Sequence, residues 1–155
     1  MKINLITVGT KMPDWVTEGF EEYAKRMPPE CRLNLVEIPA LKRSKNQDLE
    51  AIKAREGELI LNALSKNDYV VALDASGRQF ETEGLAAELK RWMGLGANVS
   101  LLIGGPEGLS QACLEKAQCH LSLSKMTFPH PLVRVIIAEQ LYRAFSILKG
   151  HPYHR

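Results

Sequence analysis

Val99-Ser100-Leu101-Leu102-Ile103-Gly104-Gly105-Pro106-Glu107-Gly108-Leu109 opens with five strand-compatible residues, four of them apolar, and then breaks into glycine and proline. An almost continuous apolar run of this length, stopped by turn residues, reads as a strand buried on both faces of a parallel sheet. In open α/β sheets, ligands bind beyond the carboxyl ends of the strands. Adjacent glycines at that end let a ligand approach bare backbone. Further along, Leu121-Ser122-Leu123-Ser124-Lys125-Met126-Thr127-Phe128-Pro129-His130-Pro131 repeats the pattern: a short strand, then a loop closed by prolines. The two loops are expected to form one ligand site.

The rest of the chain alternates strands with helices. Lys2 to Val8 reads as the first strand, with Gly9 to Met12 as its exit loop. Pro13 and Asp14 suit a helix start, and Val16, Phe20, Tyr23, Ala24 and Met27 recur on one helical face before Pro28-Pro29 stops it. Leu33 to Ile38 is the second strand. Asp48 to Ser65 reads as a helix with Leu49, Ile52, Leu59, Ile60 and Ala63 inward, Tyr69 to Leu73 as the third strand, and Asp74 to Arg78 as the loop after it. A helix over Thr82 to Met93 is followed by Gly94 and Gly96, expected as left-handed caps. Ser110 to Ala117 is a short helix, His120 to Ser124 the fifth strand, and Pro131 to Leu148 the most apolar helix, fully buried or packed on a partner. This alternation predicts one α/β domain over residues 1–155 with a mainly parallel sheet of five to six strands.

Composition excludes several classes. No apolar run approaches the roughly 18 residues of a membrane span, and no signal-peptide pattern precedes the first strand, so a cytoplasmic protein is expected. The three cysteines, Cys31, Cys113 and Cys119, include no CxxC pair, which argues against a disulfide framework or zinc site. Nor do the histidines have the acidic neighbours of a metal centre, so no metal is expected. A net charge of +2 is small for a protein that grips nucleic acid by bulk charge. The loop Ala40 to Gln47 carries Lys42, Arg43 and Lys45, and reads either as a solvated loop or as a phosphate-contacting patch.

The glycine loop lacks both the Gly-Lys-[Ser/Thr] end of a Walker motif and GxGxxG spacing, and Glu107 disfavours a polyphosphate. A neutral or cationic small molecule held by backbone groups fits better, with a plain tight turn as the simpler reading. The second loop suits an adenine ring, because it offers backbone donors and acceptors beside apolar side chains. His130 reads as a core or capping histidine. Glu139 and Arg143 are spaced for a helix-surface ion pair, though on so apolar a helix a charged pair points to an interface or a site. The closing His151-Pro152-Tyr153-His154-Arg155 puts groups that stack, move protons and grip phosphates into a few positions.

Taken together, Ile103-Gly104-Gly105, Leu123 to His130, Arg134-Val135, Glu139 to Ala144 and His151 to Arg155, with Val8-Gly9-Thr10-Lys11, resemble one family along the whole chain. That family is the ribosomal RNA large-subunit methyltransferases H, the pseudouridine N3-methyltransferases of the SPOUT class. The resemblance implies a C-terminal trefoil knot, which sequence rules alone would not predict. It implies S-adenosylmethionine as cofactor, bound by Leu73, Gly104, Leu123, Ser124, Lys125, Met126, Thr127 and Phe128. It further implies a homodimer, and a pseudouridine in a stem-loop of large-subunit RNA, met on the assembled ribosome, as substrate.

On that reading the tail of one subunit closes over the cofactor of the other. His154 is the general-base candidate, Tyr153 packs on the target or orders the tail, Arg155 holds a phosphate or steadies a developing anion, and Glu139 and Arg143 orient the tail or the base. Three alternatives stay open from sequence: a SPOUT methyltransferase acting on transfer RNA, a ribosome-binding assembly factor without catalysis, and a flavodoxin-like ligand-binding module.

Overall fold

A computed structural model describes residues 1–155. Its sheet has five strands, all parallel: β1 (Lys2–Val8), β2 (Arg32–Ile38), β3 (Tyr69–Gln79), β4 (Val99–Ile103) and β5 (Cys119–Ser122), in the spatial order β2-β1-β4-β3-β5. Val99–Ile103 is therefore the central strand. Ile3 and Tyr69 both pair with Val99, so β4 lies between β1 and β3. All five of its residues are buried, as expected for a strand covered on both faces.

Five helices cover the sheet: α1 (Asp14–Ala24), α2 (Leu49–Asn62), α3 (Thr82–Met93), α4 (Gln111–Lys116) and α5 (His130–Leu148). Strand alternation sorts the core into two layers. Ile3, Leu5, Leu101 and Ile103 point into a core with Phe20 of α1, Leu89 and Trp92 of α3, and Ile137 and Leu141 of α5. Ile6, Val8 and Leu102 point the other way, against Ile60 of α2 and Cys113 of α4. Side-chain caps set two helix starts: Asp48 accepts from Glu50 N at 3.0 Å and Ser110 from Cys113 N at 3.3 Å.

The expected parallel α/β sheet is present, with corrections in detail. Strand β3 runs on to Gln79, through the residues read as a loop, and its pairing with β5 slips between Leu73 and Arg78. Asp74 to Gly77 thus form a bulged excursion rather than a loop that leaves the sheet. Strand β5 ends at Ser122, two residues short of the expectation. Helix α2 stops at Asn62, and Leu49 and Ala63 are exposed rather than inward. They lie at the two ends of the helix, and the inward stripe is Ile52, Glu56, Gly57 and Ile60. A side chain at Gly57 would collide with Ser110, its Cβ lying 2.2 Å from Oγ, so the glycine is what lets α2 close on the start of α4. Gly96 is left-handed (φ +70°), but Gly94 is not (φ −87°). Helix α5 packs against α1 and α3 and buries Ile137, Ala138, Leu141 and Ala144, while Val133, Ile136, Phe145 and Leu148 stay partly exposed.

Candidate active site

The two loops singled out by sequence meet. The exit of β4 and the loop after β5 line one groove of about 160 Å³, floored by the end of β3. Of the expected cofactor residues, Leu73, Gly104, Leu123, Ser124, Met126, Thr127 and Phe128 line it. Lys125 does not; it is exposed on the outside of the loop. The loop is shaped locally: Ser124 Oγ accepts from Met126 N at 3.0 Å, and Ser122 donates to the Ser124 carbonyl at 3.1 Å. Met126 is 72% exposed, a large apolar side chain held in solvent at the groove's edge.

Gly104 is fixed by close approach. A Cβ there would lie 2.3 Å from the Gly108 carbonyl carbon and 2.6 Å from Leu109 N. The glycine loop thus folds back on itself, closed by a bond from Gly108 N to the Gly105 carbonyl at 2.9 Å. Gly108, at φ +87°, makes that turn.

The sequence reading missed Asp74, Ala75, Ile103, Gly108, Leu121, Ser122, His130 and Val133 as lining residues. Ile103, Gly108, Leu121 and His130 lie in the two stretches already singled out, and strand polarity was the available signal for them. Asp74 depends on the β3 excursion, which no local pattern announces. His130 lies at the base of α5. Burial, and after it the charges of Arg134 and Arg43, hold its pKa below the ordinary histidine value, and its Nδ1 is buried without a partner. Arg134 is itself buried, donating to Glu37 at 2.9 Å and to the Gly9 carbonyl at 3.3 Å. Asp74 is the one acidic side chain on the groove's lining, which carries no lysine or arginine. Apolar walls, open backbone edges and a negative bias suit a flat, cationic ligand.

A second hollow of about 360 Å³ shares the wall Leu121, Ser122, Leu123 and Phe128, and opens between Thr82 and Gln140. Thr82 donates to Gln140 there at 3.1 Å. No group of three or more His, Cys, Asp or Glu side chains is placed to hold a metal ion, and no helix is long and apolar enough to cross a membrane.

The catalytic candidates form a separate cluster. Arg143 donates to Glu139 Oε1 at 2.8 Å through Nε and lies over the Tyr153 ring, 5.0 Å from its centroid. Tyr153 packs edge-on against Tyr142 at 4.7 Å. Burial, then the Tyr23 hydroxyl and the Glu139 carboxylate, push its phenol up to about 12. The His154 carbonyl accepts from Arg143 at 3.4 Å, while its ring Nδ1 is buried without a partner; Arg155 is exposed. None of these residues lines the groove of the same chain. Glu139 stands nine residues beyond His130 on α5, about 13 Å along the helix. The Glu139–Arg143 pair is thus a foothold for the tail rather than an idle surface bridge.

A parallel α/β sheet with its groove at the exits of β4 and β5, beside the Asp74 excursion of β3, defines an α/β ligand-binding fold. Related proteins narrow it: a family described as "Predicted SPOUT methyltransferase" matches residues 1–154, and the chain belongs to that SPOUT methyltransferase family. Over 155 residues, all of this chain, it is 57% identical to a Ribosomal RNA large subunit methyltransferase H of Thioalkalivibrio sulfidiphilus, covering 99% of that protein. It is 54% identical over its full length to proteins of the same name from Methylococcus capsulatus (100% covered) and Hahella chejuensis (99% covered). The solved structure of a probable methylase family protein from Haemophilus influenzae Rd KW20 matches with a TM-score of 0.57 at 14% identity, over 99% of this chain and 70% of that one; this speaks to the fold alone.

Proposed function

We propose that this chain transfers a methyl group from S-adenosylmethionine to N3 of a pseudouridine in large-subunit ribosomal RNA, on the assembled ribosome. The observation that carries this reading is the groove of Leu73, Gly104, Leu123, Ser124, Met126, Thr127 and Phe128, in a chain that matches its named relatives from end to end. The groove fits the cofactor: apolar side chains cover ring faces, loop backbone offers partners to ring edges, and no cation stands on its lining to repel a sulfonium.

The cofactor, when bound, supplies an electrophilic methyl group. The chain supplies position and proton handling. N3 of pseudouridine carries a hydrogen, so its methylation needs a base. His154 is the candidate, its Nδ1 lacking an internal partner. Tyr153, raised to about 12, stays a neutral phenol and serves as a packing and hydrogen-bonding group. Arg143 and Glu139 hold the tail, and Arg155 is free to meet phosphate or a base carbonyl.

Because the tail lies away from the groove of its own chain, the reading includes a homodimer in which each tail serves the partner's groove. It also includes a trefoil knot, the segment from Leu123 to His130 passing beside the Gly104–Gly108 loop, and a cytoplasmic location. Labelled S-adenosylmethionine offered with intact ribosomes, separated subunits, naked ribosomal RNA and bulk transfer RNA tests the function. Label in intact ribosomes alone is the expected result. Label in transfer RNA, or none in any sample with ribosome binding retained, overturns it.

A further inference from the structure

Arg43 belongs to the basic loop Ala40 to Gln47, yet its guanidinium faces inward. It grips Glu107 of the glycine loop through Nε at 2.9 Å and Nη2 at 2.7 Å, and Glu56 of α2 through Nη1 at 3.0 Å and Nη2 at 2.7 Å. Its Nη1 also donates to the Leu41 carbonyl at 2.9 Å, and Leu41 N donates to Glu56 at 2.9 Å. The cluster lies directly behind the glycine loop: a Cβ on Gly105 would stand 3.0 Å from Arg43 Nη2 and 3.2 Å from Glu56 Oε1. The other side of that loop is the groove, through Gly104 and Gly108.

The two halves of this cluster do different jobs. Glu56 is buried, and an unpaired carboxylate there would be costly; Arg43 and Leu41 N satisfy it without help from Glu107. Glu107 keeps 19% of its side chain in solvent, against 4% for Glu56, so water can reach it as an alternative partner. Its bidentate bond therefore adds little to burial, but it fixes an orientation. The loop needs one: its internal restraint is the single turn bond from Gly108 to Gly105 and one isolated bridge between the same residues.

We propose that Arg43 is a positioning residue for the methyl-donor groove: by tying Glu107 to Glu56, it holds the Gly104–Gly108 loop in the shape that cofactor binding requires. The proposal rests on the reading of the groove as the S-adenosylmethionine site. The Arg43 bonds lower the Glu107 carboxyl from its ordinary value, which favours the ionised form that the tie requires.

The test is calorimetric binding of S-adenosylmethionine to wild type, Glu107→Gln and Arg43→Lys, with methyl-transfer kinetics on intact ribosomes and thermal melts of the cofactor-free proteins. Glu107→Gln leaves the Arg43–Glu56 half in place and so keeps the fold. Arg43→Lys offers a point charge that cannot fork across two carboxylates. Both are expected to weaken cofactor binding about tenfold or more, raising the KM for S-adenosylmethionine with a smaller change in kcat, an unchanged KM for ribosomes and, for Glu107→Gln, a melting temperature close to wild type. Leu123→Arg, which places a cation in the groove, separates the two readings. If wild type binds and Leu123→Arg does not, while Glu107→Gln binds as wild type does, the positioning role is overturned and the groove stands. If Leu123→Arg binds as tightly as wild type, or wild type does not bind, the groove assignment falls and the positioning role with it.

Discussion

The Tyr153 hydroxyl donates to Glu139 Oε1 across 3.2 Å, so the turn at Pro152–His154 is latched to the middle of α5. The same carboxylate oxygen accepts from Arg143. One acidic side chain thus orients two of the candidate catalytic groups. Glu139→Ala is expected to lower methyl transfer by about a hundredfold through misplacement of the tail. The affinity for S-adenosylmethionine should stay at the wild-type value, because Glu139 is not on the groove. Kinetics beside calorimetry decide it.

Gly104→Ala introduces a Cβ where the Gly108 backbone already lies, 2.3 Å away. The glycine loop must open to admit it. We expect a stability loss of about 1–3 kcal/mol and the disappearance of measurable cofactor binding, read by denaturant titration and by calorimetry.

His130 gives the pH dependence. Its pKa is lowered from 6.5 in the folded chain, chiefly by burial and then by Arg134. Below about pH 6.5 the unfolded chain therefore binds more protons than the folded one. The stability that this residue contributes is complete above that value and is lost as pH falls through the folded pKa. Urea midpoints should drop between about pH 7.5 and 5.5 in wild type, and His130→Gln should flatten that drop. An equal slope in the two proteins refutes the assignment.

Leu101 is fully buried on the central strand. Leu101→Ala should cost about 3 kcal/mol, read from equilibrium unfolding, whereas Leu49→Ala, on the exposed start of α2, should stay within about 0.5 kcal/mol of wild type.

With Arg43 turned inward, Lys42 and Lys45 are what remains of the basic loop for RNA. The double variant Lys42→Ala/Lys45→Ala should weaken ribosome binding and lower the salt slope by about one for each phosphate that is no longer neutralised. Cofactor affinity is expected to be unchanged.

Strands β1, β2 and β4 were legible because each is a short run rich in apolar residues closed by Gly or Pro, and strand polarity then put the loops after Ile103 and Ser122 side by side. The excursion at Asp74–Gly77 was not legible: its bulge depends on pairing with Leu121, far away in sequence. Leu49 follows helical periodicity yet is exposed, since period fixes a face but not whether a helix's first residue finds anything to pack on. The inward turn of Arg43 was hidden for a similar reason, because its partners Glu56 and Glu107 lie 13 and 64 positions away. The tail residues were legible as chemistry, and Glu139 was read as orienting the tail or the base; that the Tyr153 hydroxyl is its partner there was not legible.

The position of β4 governs the order in which the molecule can be assembled. Strands β1 and β3 meet only through Val99–Ile103. A nascent chain that has released its first 98 residues carries β1, β2 and β3 but has no way to join β3 to the others. Two open strand edges, next to apolar faces, must wait for the missing piece, and such edges invite wrong partners. Vectorial synthesis therefore leaves this chain unfinished until late, and its period of greatest exposure to chaperones and to aggregation falls before β4 emerges.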